Sequence, residues 1–150
     1  MGSRTKAREC ALQALYQLDT SGGSAALALA GIFAHVEEAE SADKGFAEEL
    51  VHGVQGERPA IDEIIQRYST NWKLDRMARV DRNILRLGVF ELLRRGDVPV
   101  KVTLNEAVEL GKKFGTEESS SFVNGVLDKI AHGREMATAK PKSEGPARED

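Results

Sequence analysis

Cysteine occurs once in the 150 residues, at Cys10, so no disulfide can form within the chain. No apolar run approaches the ~20 residues needed to cross a bilayer. No apolar core follows the opening residues as it would in a signal peptide, so no membrane role is expected and the expected location is cytoplasmic. The three histidines, His35, His52 and His132, stand far apart and outside any H-E-x-x-H or Cys–His grouping, which argues against a metal site. The G-x-S-x-G, Walker and G-x-G-x-x-G patterns are missing. Gly111-Lys112-Lys113-Phe114-Gly115 has glycines and lysines without phosphate-loop spacing and reads as a helix end. No pair of carboxylates is marked out for acid–base work, so the expectation is a protein without cofactor or catalytic residues. An excess of positive charge is lacking too: 21 basic and 24 acidic residues give a net charge of −3. That excludes a globally basic nucleic-acid binder and leaves room for a local basic patch.

What the chain does have is helical periodicity. Hydrophobic residues make up 41 %, which suits a globular fold of about this length. Ala7, Cys10, Ala11, Ala14, Leu15 and Leu18 form one stripe of a first helix over Arg4 to Asp19, stopped by Ser21-Gly22-Gly23. Ser24 caps a second helix over Ala25 to Glu38. The break at Ser41-Ala42-Asp43 starts a third, with Phe46, Leu50, Val51 and Val54 inward, and Pro59 opens a fourth carrying Ile61, Ile64, Ile65 and Tyr68. Trp72 follows and reads as an anchor to the core. Val80 to Arg95 is apolar around most of its circumference, so it reads as the central helix, with Gly88 admitting a neighbouring backbone and Glu91 and Arg95 spaced for a surface ion pair. Val100-Lys101-Val102 reads as an extended link before a capping box at Thr103-x-x-Glu106. Ser119-Ser120-Ser121 starts the last helix, in which Asn124-Gly125 reads as a small-residue packing position. The fold class is all-α, with about seven helices in a domain over residues 1–133. From 134 to 150 the composition turns polar, with four basic and four acidic side chains, and a disordered tail is expected.

Two features resist a purely structural reading. Arg4, Lys6 and Arg8 stand at a helix start, where cations oppose the helix dipole at a cost of ~0.3–1 kcal/mol each. They read either as a phosphate-binding arm or as a solvated, frayed end. At the other end of the chain, Lys112 and Lys113 lead into the serine-rich start of the last helix, whose open amides favour anions. Glu117 and Glu118 compete with an incoming phosphate there, so an ordinary cap is the simpler reading. Phe122 either fills the core or stacks on a base.

Several blocks, in order, resemble one family. Ala7-Arg8-Glu9-Cys10-Ala11-Leu12-Gln13-Ala14-Leu15-Tyr16-Gln17 is similar to the opening helix of the bacterial transcription antitermination factors of the NusB family. Asp81-Arg82-Asn83-Ile84-Leu85-Arg86-Leu87, Glu91-Leu92, Val98-Pro99 and Val102 resemble its central helix and the turn after it. Asn105-Glu106-Ala107-Val108-Glu109-Leu110, Lys112 and Phe114-Gly115 resemble the next helix, and Phe122-Val123-Asn124-Gly125-Val126-Leu127-Asp128 the last. The likeness spans about residues 4 to 132.

The resemblance implies two packed helical bundles forming one unit. It also implies binding of a single-stranded boxA element in ribosomal RNA transcripts, together with the ribosomal protein NusE, within the RNA polymerase antitermination complex. By position, Arg4, Lys6, Arg8, Lys112, Lys113, Glu118, Ser119 and Phe122 fall on the RNA side. Tyr16, Arg76, Val80, Asp81 and Arg86 fall on the partner side. Replacing Arg4 and Arg8 with alanine is then expected to weaken RNA binding with little change in thermal stability. The alternatives are a detached RNA-binding domain of a ribosomal RNA methyltransferase and a structural helical homodimer; the state, monomer or homodimer, stays open.

Overall fold

The computed structural model describes residues 2–138, with side chains described up to 133. Among these residues there are seven α-helices and no strand: α1 Ser3–Ser21, α2 Ala25–His35, α3 Lys44–Gly56, α4 Arg58–Tyr68, α5 Arg79–Arg94, α6 Val100–Phe114 and α7 Ser119–Thr138. Helices α1 to α3 pack on one another, α4 and α6 each pack on α5 and α7, and α5 also packs on α1 and α3. A single apolar core runs through the two bundles, from Ala7, Leu12 and Leu15 through Leu50 and Ile84 to Leu127 and Ile130.

Local chemistry sets most of the boundaries. Gly22 and Gly23, at φ 73° and 102°, end α1 in a backbone region that side chains disfavour. The Ser24 hydroxyl accepts from Leu27 N at 3.2 Å to cap α2, and the Asp43 carboxylate accepts from Phe46 N at 3.1 Å to cap α3. Pro59 lies in the first turn of α4. In α5 every residue from Arg82 to Leu92 is buried, which makes it the central helix.

The structure departs from the sequence reading in identifiable places. Helix α2 stops at His35 rather than Glu38, because Glu38 turns to φ 65° ahead of a 3-10 turn over Ala39–Ser41. Val100-Lys101-Val102 is helical, with Pro99 as the flanking residue of α6. No capping box forms at Thr103. Its hydroxyl donates to Glu91 at 3.3 Å, and Glu106 accepts from Thr5 at 3.0 Å. Glu91 and Arg95 do not pair: Glu91 is buried against Arg8, while Arg95 holds Asp97 at 2.8 Å and Glu49 at 2.6 Å.

Packing around small residues is also redistributed. Gly88 makes room for the Leu127 side chain rather than a backbone. The backbone approach occurs at Gly111, where an added Cβ would lie 3.0 Å from Ser120 N on α7. Gly125 faces open space and is no packing position. Trp72 is not a core anchor, since 57 % of it is exposed. Helix α7 runs to Thr138, into the segment that composition assigned to the tail, and residues 139–150 lie outside the described residues.

Candidate nucleic-acid interface

The start of α1 lies beside the end of α6. Lys6 Nζ is 3.3 Å and Lys113 Nζ 2.9 Å from the same oxygen, Glu9 Oε1. Glu9 is itself buried, so one carboxylate holds two cations from helices far apart in the chain. Thr5 donating to Glu106 fixes the same junction one turn earlier. Arg4 sits on the neighbouring face, 46 % of its side chain exposed, within 4.0 Å of Asp43 and 3.9 Å of Asp97. Its guanidinium lies 4.5 Å above the Phe46 ring, a cation–π contact that orients the group.

From Lys113 the chain passes through Gly115 into the start of α7. There Thr116 N donates to Ser119 Oγ at 2.9 Å, closing the turn. Beyond the turn opens a groove of about 460 Å³, lined by Trp72, Arg76, Asp81, Glu118 and Phe122 among others. The cationic start of the first helix and the cap of the last are therefore on one side of the molecule, linked through Lys113.

A family model described as the NusB family matches residues 5–132. The chain belongs to the NusB family. It is 57 % identical over 134 residues to the transcription antitermination protein NusB of Myxococcus xanthus, covering 87 % of this chain and 96 % of that protein. T. maritima NusB superposes with a TM-score of 0.77 at 37 % identity, covering 88 % of this chain and 93 % of that one. A solved structure of the antitermination factors NusB and NusE in complex with dsRNA superposes with a TM-score of 0.76 at 31 % identity, covering 87 % and 97 %.

Within this NusB fold, the residues read from the sequence separate by exposure. Arg4, Lys6, Lys112, Lys113, Glu118 and Phe122 all retain accessible surface. Lys112 pairs with Glu109, at 3.4 Å, on the exposed face of α6. Phe122 is half-buried, so it both packs on the core and lines the groove.

Arg8 is withdrawn from the set. It is 4 % exposed and clamps Glu91 through two hydrogen bonds of 2.8 Å, with Glu106 at 3.7 Å. Burial by itself would lower the pKa of this guanidinium. The Glu91 hydrogen bonds and the Glu91 and Glu106 charges outweigh burial and hold it above its ordinary value. Ser119, 1 % exposed, is a turn-closing residue and not a surface contact.

On the partner side of the NusB reading, Tyr16 is 42 % exposed, Arg76 is exposed, and Val80 and Asp81 are half-buried. Arg86 is corrected in the same way as Arg8. It is 3 % exposed, binds Asp62 through Nε at 2.8 Å and Nη2 at 3.0 Å, and reaches Asp19 at 3.2 Å. Asp19 also accepts from Arg82 and Asn83. Burial would raise the Asp19 pKa, but the Arg82 and Asn83 hydrogen bonds and the arginine charges outweigh it and lower it. Sequence reasoning missed Glu9 and Trp72. Glu9 had a signal, since it stands three residues after Lys6 on a helix. Trp72 had none, because its exposure depends on how its loop is held.

Proposed function

We propose that this chain is a transcription antitermination factor that binds a boxA-type single-stranded RNA together with NusE and carries the pair to the RNA polymerase antitermination complex. The names of its relatives support the first part, and the solved NusB–NusE complex with RNA supports the partner and ligand classes. The observation that carries the reading is the Lys6–Glu9–Lys113 junction, which joins the cationic start of α1 to the turn before α7. Phosphates pass along Arg4, Lys6 and Lys113, with Lys112 adding charge on the rim. NusE meets the face that bears Tyr16, Arg76 and Val80. The chain acts as an adaptor in the cytoplasm, without a cofactor and without catalysing a reaction.

A handful of cations on an acidic body gives weak, salt-sensitive binding, which a second protein strengthens by adding contacts to the same strand. Titrating labelled boxA RNA at several salt concentrations, with and without NusE, tests this. With about three phosphate contacts, the log–log slope for the chain alone is near −2. NusE tightens the binding. Equal affinities in the two arms refute the cooperative part, and a duplex that competes as well as the single strand refutes the single-strand preference.

A further inference from the structure

We propose that Arg82 is a positioning residue for NusE: buried itself, it holds the three separate segments of the NusE-facing surface in register. The proposal rests on the NusE-binding reading above and adds to it a residue that touches no partner.

The face is assembled from pieces that are separate in the chain. Tyr16 lies on α1, Arg76 on a 3-10 turn over Leu74–Arg76, and Val80 in the first turn of α5. Arg82 is 8 % exposed and ties the three together. Its Nε and Nη2 donate to Asp19 Oδ2 at 3.0 and 2.8 Å. Asp19 stands three residues after Tyr16 on the same helix, a spacing that puts the two on one face. The third nitrogen, Arg82 Nη1, donates to Leu74 O at 3.1 Å, two residues before Arg76. The side chain itself starts from α5, two residues after Val80. One planar guanidinium, with its donors in a rigid fork, therefore sets α1, the turn and α5 at fixed separations.

The turn needs that hold. Its backbone bonds, Arg76 N to Lys73 O at 2.9 Å and Met77 N to Leu74 O at 3.2 Å, are of the 3-10 kind, whose geometry is poorer than that of an α-helix. Side chains grip Leu74 from both ends: its N–H donates to Gln66 Oε1 at 2.8 Å, and its carbonyl accepts from Arg82. With Met77 N, the Arg82 bond uses both lone pairs of that carbonyl. Neutralising Asp19 does not account for the arrangement. Asp19 Oδ2 also accepts from Asn83 at 3.0 Å and from Arg86 at 3.2 Å, and the bond to Leu74 O leads away from the carboxylate. A surface assembled only part of the time binds more weakly by that fraction. Loss of the bridge is therefore read at NusE, although Arg82 is closed off from solvent.

The test uses the full chain with NusE and, separately, with labelled boxA RNA, at a temperature well below the melting transition of every variant. Arg82→Met removes the bridge. Leu50→Ala on α3 is the control: it opens a cavity in the core and touches no part of the face. Arg82→Met weakens NusE capture by roughly tenfold, as for a face assembled about a tenth of the time. It leaves RNA binding by the chain alone unchanged. It also shifts the emission of Trp72, the only tryptophan in the sequence, which stands two residues before Leu74. Arg82→Lys keeps the charge beside Asp19 but offers a single nitrogen, and it restores part of the affinity. Leu50→Ala lowers the melting temperature while NusE capture and Trp72 emission stay near those of the parent. NusE capture that Arg82→Met does not alter, or that falls equally in Arg82→Met and Leu50→Ala, overturns the positioning role and leaves the NusE reading standing. Where Arg82→Met does not fold, Arg82→Lys is read against Leu50→Ala on the same terms. Full capture of NusE by Tyr16→Glu overturns the NusE face itself, and this proposal with it.

Discussion

Arg8 of the first helix and Glu91 of the central helix form a buried two-point ion pair, with Nε to Oε2 and Nη2 to Oε1 both at 2.8 Å. The pair joins the two bundles, and Thr103 adds a third group to the same carboxylate. Removing one partner strands the other in the interior, which costs about 3–5 kcal/mol. Arg8→Ala therefore lowers the melting temperature, on the order of 10 °C for a chain of this size. Calorimetry of the single variant checks it; a shift of a degree or two would show that the pair contributes little. Because of this pair, the joint Arg4 and Arg8 replacement cannot isolate RNA contacts, and Arg4→Ala alone is the informative variant.

Acid should loosen the fold at Asp19. Its pKa is lowered in the folded protein, so between the folded and the unfolded value, ~3.9, the unfolded state binds more protons. The stabilisation is complete above the unfolded value and is lost as the pH falls through the folded one. Urea midpoints measured from about pH 6 down to about pH 3 should decline below about pH 4. The decline should be shallower in Asp19→Asn, which starts from a lower stability. Parallel curves for the two proteins would remove Asp19 as the source.

Lys113 offers the cleanest probe of the RNA strip. Its side chain is 54 % exposed, pairs with Glu9 and lies over the Phe114 ring. Lys113→Gln should weaken boxA binding and reduce the magnitude of the salt slope by about 0.7, the loss of one single-strand contact. Its melting temperature should stay within a few degrees of the parent. An unchanged slope would place the RNA elsewhere.

Tyr16 tests the other face. It is 42 % exposed on α1 and outside the Lys6–Lys113 strip. Tyr16→Glu should weaken capture of NusE by tenfold or more, in line with loss of an aromatic anchor, and leave the binding of RNA to the chain alone unchanged. Full NusE capture by the variant would move the partner to a different surface.

Gly111 tests the packing that sets the strip in place. A methyl group there meets the backbone of Ser120 at 3.0 and 3.1 Å, and backbone cannot swing aside. Gly111→Ala should destabilise the protein by about 1–3 kcal/mol, read as a lower urea midpoint with the same slope. It should also weaken RNA binding, because α6 carries Lys113 and α7 carries Phe122. A neutral result would mean that the two helices separate easily at this point.

Much of the architecture could be read directly from the chain. The stripe on α1, the cap at Ser24, the break at Ser41-Ala42-Asp43, the stop at Gly22-Gly23 and the central position of α5 all depend on neighbours within a few residues, and all were legible. The error at Thr103-x-x-Glu106 shows where such reading ends. The pattern is a capping signature, yet both side chains are taken by distant partners, Glu91 and Thr5, the second 101 positions away. A helix start found by local signature gives way when a tertiary hydrogen bond competes for the same oxygen.

The same division runs through the candidate site. The sequence by itself determined the seven helices, the absence of an internal disulfide, the family, and the cations at the two ends of the chain, because spacing and side-chain type suffice for those. Only the tertiary structure decided which cations face outward. Arg8 and Arg86 look no different from Lys6 in the sequence, but packing α1 and α4 against α5 brings carboxylates to their guanidiniums and closes them in, while Glu9 draws Lys6 and Lys113 together at the surface. Charge is a property of a residue, whereas its availability is a property of what lies within hydrogen-bonding distance, and that distance is set by the fold.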